Sequence, residues 1–520
     1  MKKRLLSILC VVLAVAMLAL AGCSSEKTPD ATGGSDSTTS GKGDTSTPAK
    51  DTLVYAINGD ISNLDPVTIT DGASATVWHQ IYDTLFQYDE NNNPVPHLVE
   101  TYAFNDDGTE LTLNLVKGVK FHNGDELTAN DVAFTLDYIY NNPTLTTTLT
   151  NYASTEVVDD YTCKIHYTAA FGAALAQLTS YSTNIISKAH FEKVGIEGYQ
   201  TEPIGTGPYK FVSRTPGEKI ELVANDDYFL GAPSIKNVTI RVITDPTAAA
   251  MALQSGDVDV VQTPSVDQRD TLMAVSGITW EETMSSTTVF LMINNKDPQL
   301  SNEKVRQAIW YAIDKELLVE GALEGLGQPL ETLAPGAVTS AYDPDFKGYG
   351  YDVEKAKSLL AEAGYPDGIT ITITTMLGSD TYQKPTLILQ DMLKEAGINL
   401  VLDEYERAAW ISKVGSGDYA ITVMTWGVPS LDGEFYTRLL ISGSYLQINS
   451  EALDNLLTAQ QTEMDSAKRK TIFGEINTMI RDHANLIPLY AGYNYLAYNS
   501  ALKGISVNAA SEYFIYNMSW

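Results

Sequence analysis

The sequence predicts an α/β fold with more than one lobe, and three observations carry that expectation. Between about residues 350 and 426, apolar stripes with helical spacing alternate with short β-rich runs, which implies layered helices and mostly parallel strands. About 470 residues follow a polar N-terminal segment, ample for more than one apolar core. No repeat of solenoid length competes with this reading.

Taken in order, Thr52-Leu53-Val54-Tyr55-Ala56-Ile57 opens the folded part as a strand. Leu111 to Leu115 alternates with period two, as a half-buried strand does. Thr128 and Asp131 form a capping box ahead of a helix through Tyr140, with Val132, Leu136 and Ile139 on one face. Asp352 caps a helix whose stripe is Val353, Ala356, Leu359, Leu360 and Ala363, and Gly364 with Pro366 stops it. Ile369 to Ile373 is a strand, a helix runs through Leu393 to Gly397, and strands follow at Ile398 to Leu402 and Tyr419 to Trp426.

The N-terminus has a different character. Lys2, Lys3 and Arg4 precede an uncharged apolar run, Leu5 to Leu20, that closes on Leu20-Ala21-Gly22-Cys23. A basic start, a short apolar core and a small-residue cleavage site describe a secretory signal peptide. Roughly 16 apolar residues are also few for a membrane span. Leu-Ala-Gly-Cys resembles the bacterial lipobox, which implies cleavage after residue 22 and lipidation of Cys23. Stable anchoring takes more than one acyl chain, and a lipoprotein anchor supplies them. Residues 24–50 are nearly all small or polar, a composition that cannot offset its ordering entropy. As a flexible coil they would reach roughly 30 Å. Residues 1–22 are therefore expected to be the leader and 23–50 a lipidated tether on the extracytoplasmic face of the cell membrane.

Composition narrows the function. The formal charge is −31, and the mature chain, without its three N-terminal cations, would carry −34. Nucleic acid is excluded as a partner, since phosphate binding needs a basic surface. Of the three cysteines, Cys10 leaves with the leader and Cys23 is lipidated. Cys163 remains, in a predicted strand, as a free thiol, and core burial has to supply the stability. The six histidines are scattered without paired spacing, so neither a metal site nor a cofactor is expected. Asp89, Asn91, Asn93 and Glu100 mimic a calcium loop, but Pro94 stands where the turn needs Gly; a plain turn is expected there. Neither G-x-S-x-G nor H-E-x-x-H occurs, which argues against a hydrolase.

Several segments in register resemble family 5 of the bacterial extracytoplasmic solute-binding proteins, the dipeptide-, oligopeptide- and nickel-binding group of ABC importers. They are Asn63-Leu64-Asp65-Pro66, Lys117 through Gly124, Gly205-Thr206-Gly207-Pro208-Tyr209, Val305-Arg306-Gln307-Ala308-Ile309 and Ala363-Gly364-Tyr365-Pro366. The resemblance implies a two-lobe type II periplasmic-binding-protein fold with a hinge and an interlobe ligand cleft. Lobe I would hold 51–285 plus 490–520, and lobe II 286–489. It implies a monomer that captures a small peptide and hands it to a membrane permease, with no catalysis. A nickel or other metal chelate is the alternative cargo, and a tethered sensor or adhesin the alternative class. Gly205 and Gly207 are read as a tight turn before a strand.

Residues 425–434 depart most from the dipeptide-binding pattern. There the resemblance implies a carboxylate shortly after the Trp, pairing with the peptide's amino group, but Pro429 fills that place. Asp432 and Glu434 are the nearest acids. The predicted ligand contacts are Trp426 as a stacking surface, Asp432 as the ammonium partner, Asn294 as a donor, and Trp78 and Asp71 beside the first family motif.

Overall fold

A computed structural model describes residues 50–520 except 69–71, 146–147, 445 and 447. The leader, Cys23, the tether and Asp71 lie outside the described residues. No helix among the described residues is long and apolar enough to cross a membrane.

One 11-stranded mixed sheet organises the chain. Its strands are β1 (Thr52–Ile57), β2 (Tyr209–Thr215), β3 (Lys219–Ala224), β4 (Asn237–Val242), β5 (Val260–Gln262), β6 (Ile278–Ile293), β7 (Gly327–Pro329), β8 (Ile369–Met376), β9 (Ile398–Tyr405), β10 (Ile421–Trp426) and β11 (Leu486–Asn499). Their order is β9-β8-β10-β6-β11-β5-β1-β4-β3-β2, with β7 beside β11. Parallel pairing joins β1 to β4 and β5, and β8 to β9 and β10. The remaining pairs are antiparallel, so the expected parallel character holds only within these two groups. A separate four-stranded antiparallel sheet lies within residues 99–167.

The long strands β6 and β11 join the two ends of the large sheet. At its far end β6 alternates between cores, as period two requires. Val289, Leu291 and Ile293 enter one apolar cluster with Ile371 and Ile421, while Phe290 and Met292 enter another with Leu439 and Leu446. A third cluster gathers Tyr55, Trp78, Tyr82, Leu111 and Ile165. The ladder between β6 and β11 is irregular between Met284 and Thr288. In the first half of β6 the apolar residues Ile278, Trp280 and Met284 fall at alternate positions, interrupted by Glu282 and followed by Ser285-Ser286-Thr287.

Local signals decide the elements as expected. Asp131 accepts the Thr128 backbone N–H at 2.9 Å and opens the helix Ala129–Asn141. Asp352 accepts the Lys355 N–H at 2.8 Å at the start of Val353–Glu362. Gly205 and Gly207 differ from expectation, since neither takes a positive φ. A Cβ on Gly205 would lie 2.0 Å from the Ile81 carbonyl oxygen, and one on Gly207 2.6 Å from the Ile81 carbonyl carbon. Close approach to the end of α1 (Gly72–Ile81) therefore explains both glycines. The Asp89 segment is a turn: Asp89 accepts the Asn91 and Asn93 N–H groups at 2.9 and 2.8 Å, between two short paired strands.

Cys163 is fully buried in the four-stranded sheet, and burial pushes its thiol up to about 12. The thiolate is the reactive form. Cys163 is accordingly expected to escape iodoacetamide at pH 8 in the native protein and to react in urea. Peptide mapping reads the result, and alkylation of Cys163 in the folded chain would contradict it.

Candidate functional site

α1 presents Gly72, Ala75 and His79 along one face, at the i, i+3, i+7 spacing of a helix stripe. That face lines a cavity of about 490 Å3, within the range of ligand sites. Gln177, Ser180 and Tyr181 border it on the same side. Ser286 and Thr287 enter from the irregular stretch of β6, and Ser511 from the C-terminal segment. A further wall is the segment that follows β10, with Gly427, Pro429, Ser430, Glu434 and Phe435, and Arg438 on the short helix Thr437–Leu440. Hydroxyls and small side chains dominate, with one acid and one guanidinium.

The acid is Glu434. It is buried, its Oε1 accepts from Gln461 Nε2 at 3.0 Å, and desolvation raises its pKa above the ordinary value, which Arg438 partly offsets. Arg438 stands over the Phe435 ring, 4.4 Å from its centroid, and burial lowers its pKa. Two further cavity groups are buried with polar atoms that no protein group satisfies: both ring nitrogens of His79, and Gln177 Oε1. Such atoms cost free energy unless a ligand or water meets them.

None of the four predicted contacts among the described residues lines this cavity. Asp432 does not line the cavity. Its carboxylate forms a two-pronged pair with Arg469, Oδ2 to Nη1 at 2.6 Å and Oδ1 to Nη2 at 2.5 Å. Oδ1 also accepts the Glu434 N–H at 2.8 Å, so the group is spent on holding the loop. Gly433 lets that loop lie against Ala341 and Phe473, each of which a Cβ would approach to 2.5 Å. Asn294 donates to the Gly417 and Tyr419 carbonyls at 3.0 and 2.8 Å and also stays away from the cavity. Trp78 is fully buried in a core, on a different side of α1 from His79. Trp426 is half-buried and packs on Phe435 with ring centroids 5.8 Å apart, so it supports a lining residue. Asp71 lies outside the described residues, next to the lining Gly72.

The groups that sequence reasoning missed are His79, Gln177 and Arg438. The helical spacing of His79 from Gly72 was a usable signal; Gln177 and Arg438 offered none. His79 stacks on Phe514 at 5.3 Å, and its Nε2 is 3.8 Å from Glu512 Oε1. Burial brings the imidazole down to about 4 and the Glu512 carboxyl up to about 7. An acid raised on folding keeps, between about pH 4.5 and 7, a proton that the unfolded chain has lost. The contribution of Glu512 to stability therefore falls across that window as pH rises, against an opposite contribution from His79 between about pH 4 and 6.5. Glu512→Gln should remove this slope. Its stability relative to wild type should improve by about 3 kcal/mol from pH 4.5 to 8, read by urea unfolding at both. An unchanged difference would contradict the assignment.

Among the described residues, no group of three or more His, Cys, Asp and Glu is placed to hold a metal ion. The model of the bacterial extracellular solute-binding proteins, family 5 (middle), matches residues 93–445. The chain is 28% identical over 462 residues to the glutathione-binding protein GsiB of Pectobacterium atrosepticum, covering 86% of this chain and 88% of that protein. It is 28% identical over 500 residues to the oligopeptide-binding protein AppA of Bacillus subtilis, covering 90% and 91%. Among solved structures, it superposes on the ABC transporter-associated periplasmic binding protein DppA of Helicobacter pylori, in complex with the peptide STSA. There the TM-score is 0.77 and the identity 26%, over 91% of this chain and 98% of that one. The fold is thus the two-lobe α/β fold of the type II periplasmic binding proteins.

Proposed function

We propose that this chain, which belongs to the bacterial extracellular solute-binding proteins of family 5, captures a small peptide in the cavity facing α1 and delivers it to an ABC importer. The observation that carries the reading is the cavity wall. It sets one buried acid, Glu434, and one guanidinium, Arg438, among hydroxyls and unsatisfied acceptors, a set suited to a zwitterion rich in amide groups. A solute taken out of water needs such partners for its charged ends. The names of the relatives agree, since GsiB binds glutathione, AppA oligopeptides, and DppA was solved with a tetrapeptide.

Residues 51–285 with 490–520 would form one lobe and 286–489 the other, closing on the ligand as hinged domains do. The apolar clusters support this division, because they sort largely by these ranges. Capture, without chemistry, is then the whole task of the chain. Titration calorimetry with di- to pentapeptides, alongside mass spectrometry of co-purified solutes, tests the proposal. A chain that binds none of the peptides at millimolar concentration but carries another solute does not have this function. Lipidation at Cys23 would hold the protein on the outer face of the membrane. Cys23→Ala should then abolish incorporation of labelled palmitate, and undiminished labelling would exclude the anchor.

A further inference from the structure

His79 is a wall shared by two cavities. Behind it, away from Glu434, lies a second space of about 470 Å3 that Arg438 and the β10 loop do not reach. The lining of this space has a one-sided chemistry. Tyr88, Tyr228, Phe514 and Tyr516 supply aromatic surface, Glu512 and Glu90 supply carboxylates, and no Lys or Arg lines it. Asp83 also borders it but is engaged, accepting from His97 Nε2 at 2.8 Å, Tyr228 Oη at 3.1 Å and Thr206 Oγ1 at 2.7 Å. Asp89 is occupied with its own turn.

Glu512 is the group with capacity to spare. It is 5% exposed, and its Oε2 accepts from Asn508 Nδ2 at 2.6 Å. Its Oε1 faces His79 from 3.8 Å, beyond hydrogen-bond reach. His79, 6% exposed, keeps both ring nitrogens without a protein partner and lines this space as well as the first. A buried carboxylate without a cation is costly, and a neutral imidazole offers one acceptor nitrogen. Aromatic faces attract ammonium and guanidinium groups. All three point to the same missing chemistry.

We propose that this second cavity is a binding site for an organic cation, a protonated amine or guanidinium held by Glu512, the acceptor nitrogen of His79 and the surrounding aromatic rings. The cation can come from a free solute or from the basic side chain of a peptide seated in the first cavity and reaching past His79. The site does not depend on the peptide reading, because a free amine suffices to fill it.

The test titrates the full-length protein at pH 8.5, where Glu512 is ionised, with n-butylammonium, n-butanol and butyrate. A parallel arm compares Ala-Lys-Ala with its norleucine counterpart. Butylammonium is expected to bind saturably and at least tenfold more tightly than butanol, with no binding of butyrate. Glu512→Gln should weaken butylammonium at least tenfold, and Tyr516→Leu, further out on the aromatic wall, should weaken it several-fold. Melting curves confirm that each variant is folded. A lysine preference in the peptide arm that disappears in Glu512→Gln identifies the side chain as the source; butylammonium binding without that preference identifies a free amine. Equal affinity for butylammonium and butanol together with no lysine preference overturns the proposal, as does a folded Glu512→Gln protein that binds every probe like wild type.

Discussion

Asp432→Ala is expected to destabilise the folded chain by about 3–5 kcal/mol, the cost of stranding one member of a buried ion pair. The guanidinium left behind belongs to Arg469, on the helix Ser466–His483, where only 5% of the residue is exposed. Its Nε donates to the Gln460 carbonyl and Nη2 to Gln460 Oε1, both at 2.9 Å, but neither contact neutralises the charge. The same substitution removes the cap on the short helix Gly433–Tyr436, adding to the loss. Asp432→Asn keeps an acceptor for the cap and should cost less than alanine. Replacing the pair together, Asp432→Leu with Arg469→Met, should recover much of the loss, since apolar pairs of similar volume often match buried ion pairs. Urea unfolding of wild type, Asp432→Leu, Arg469→Met and the double variant forms a double-mutant cycle, with Asp432→Ala and Asp432→Asn read alongside. A loss below about 1 kcal/mol for Asp432→Ala would mean that the pair does not organise the loop.

Glu434→Gln is expected to weaken a free-amine peptide by at least roughly 30-fold while leaving its N-acetylated form within about threefold. Truncating one side of a desolvated charged contact costs about 2 kcal/mol or more, and each 1.4 kcal/mol is tenfold. Glutamine is close to isosteric and can retain the contact to Gln461, so the substitution tests charge more than shape. Calorimetry with both peptides against both proteins isolates the amine. Equal losses for the two peptides would assign Glu434 to loop structure. Trp426→Ala should also weaken binding, though alike for both peptides, since its ring acts through Phe435.

The sequence was most readable where structure is decided locally. The Thr128–Asp131 cap, the Asp352 cap and the alternation from 353 to 426 depend on residues a few positions apart. The loop after Trp426, singled out in the sequence for its departure from the dipeptide-binding pattern, borders the cavity through Pro429 and Glu434, while Trp426 and Asp432 do not line it. Which of its acids lines the cavity was not readable. Asp432 and Glu434 differ only in that Asp432 meets Arg469, a partner 37 residues away. Trp78 and His79 pose the same difficulty: one helical step separates a core residue from a cavity residue, and the phase of α1 is set by its packing against the core. Gly205 and Gly207 suggested a turn because the approach of Ile81, more than a hundred residues earlier, leaves no trace in the local sequence.

The irregular stretch between Met284 and Thr288 has a mechanical consequence. Over these residues β6 lets go of its regular partner: Ser286 N–H donates to the Ala509 carbonyl at 2.9 Å and Thr287 N–H to Ser285 Oγ at 3.1 Å. The ladder to β11 is continuous from Ile278 to Met284; it resumes at Thr288 and shifts register once more between Val289 and Phe290. The regular pairing that would stiffen β6 is thus interrupted over Ser285, Ser286 and Thr287, and two of these residues, Ser286 and Thr287, line the cavity. If the lobes proposed above turn about this stretch, the backbone that bends also borders the proposed site, and a ligand there would act on the axle with no relay through the rest of the fold.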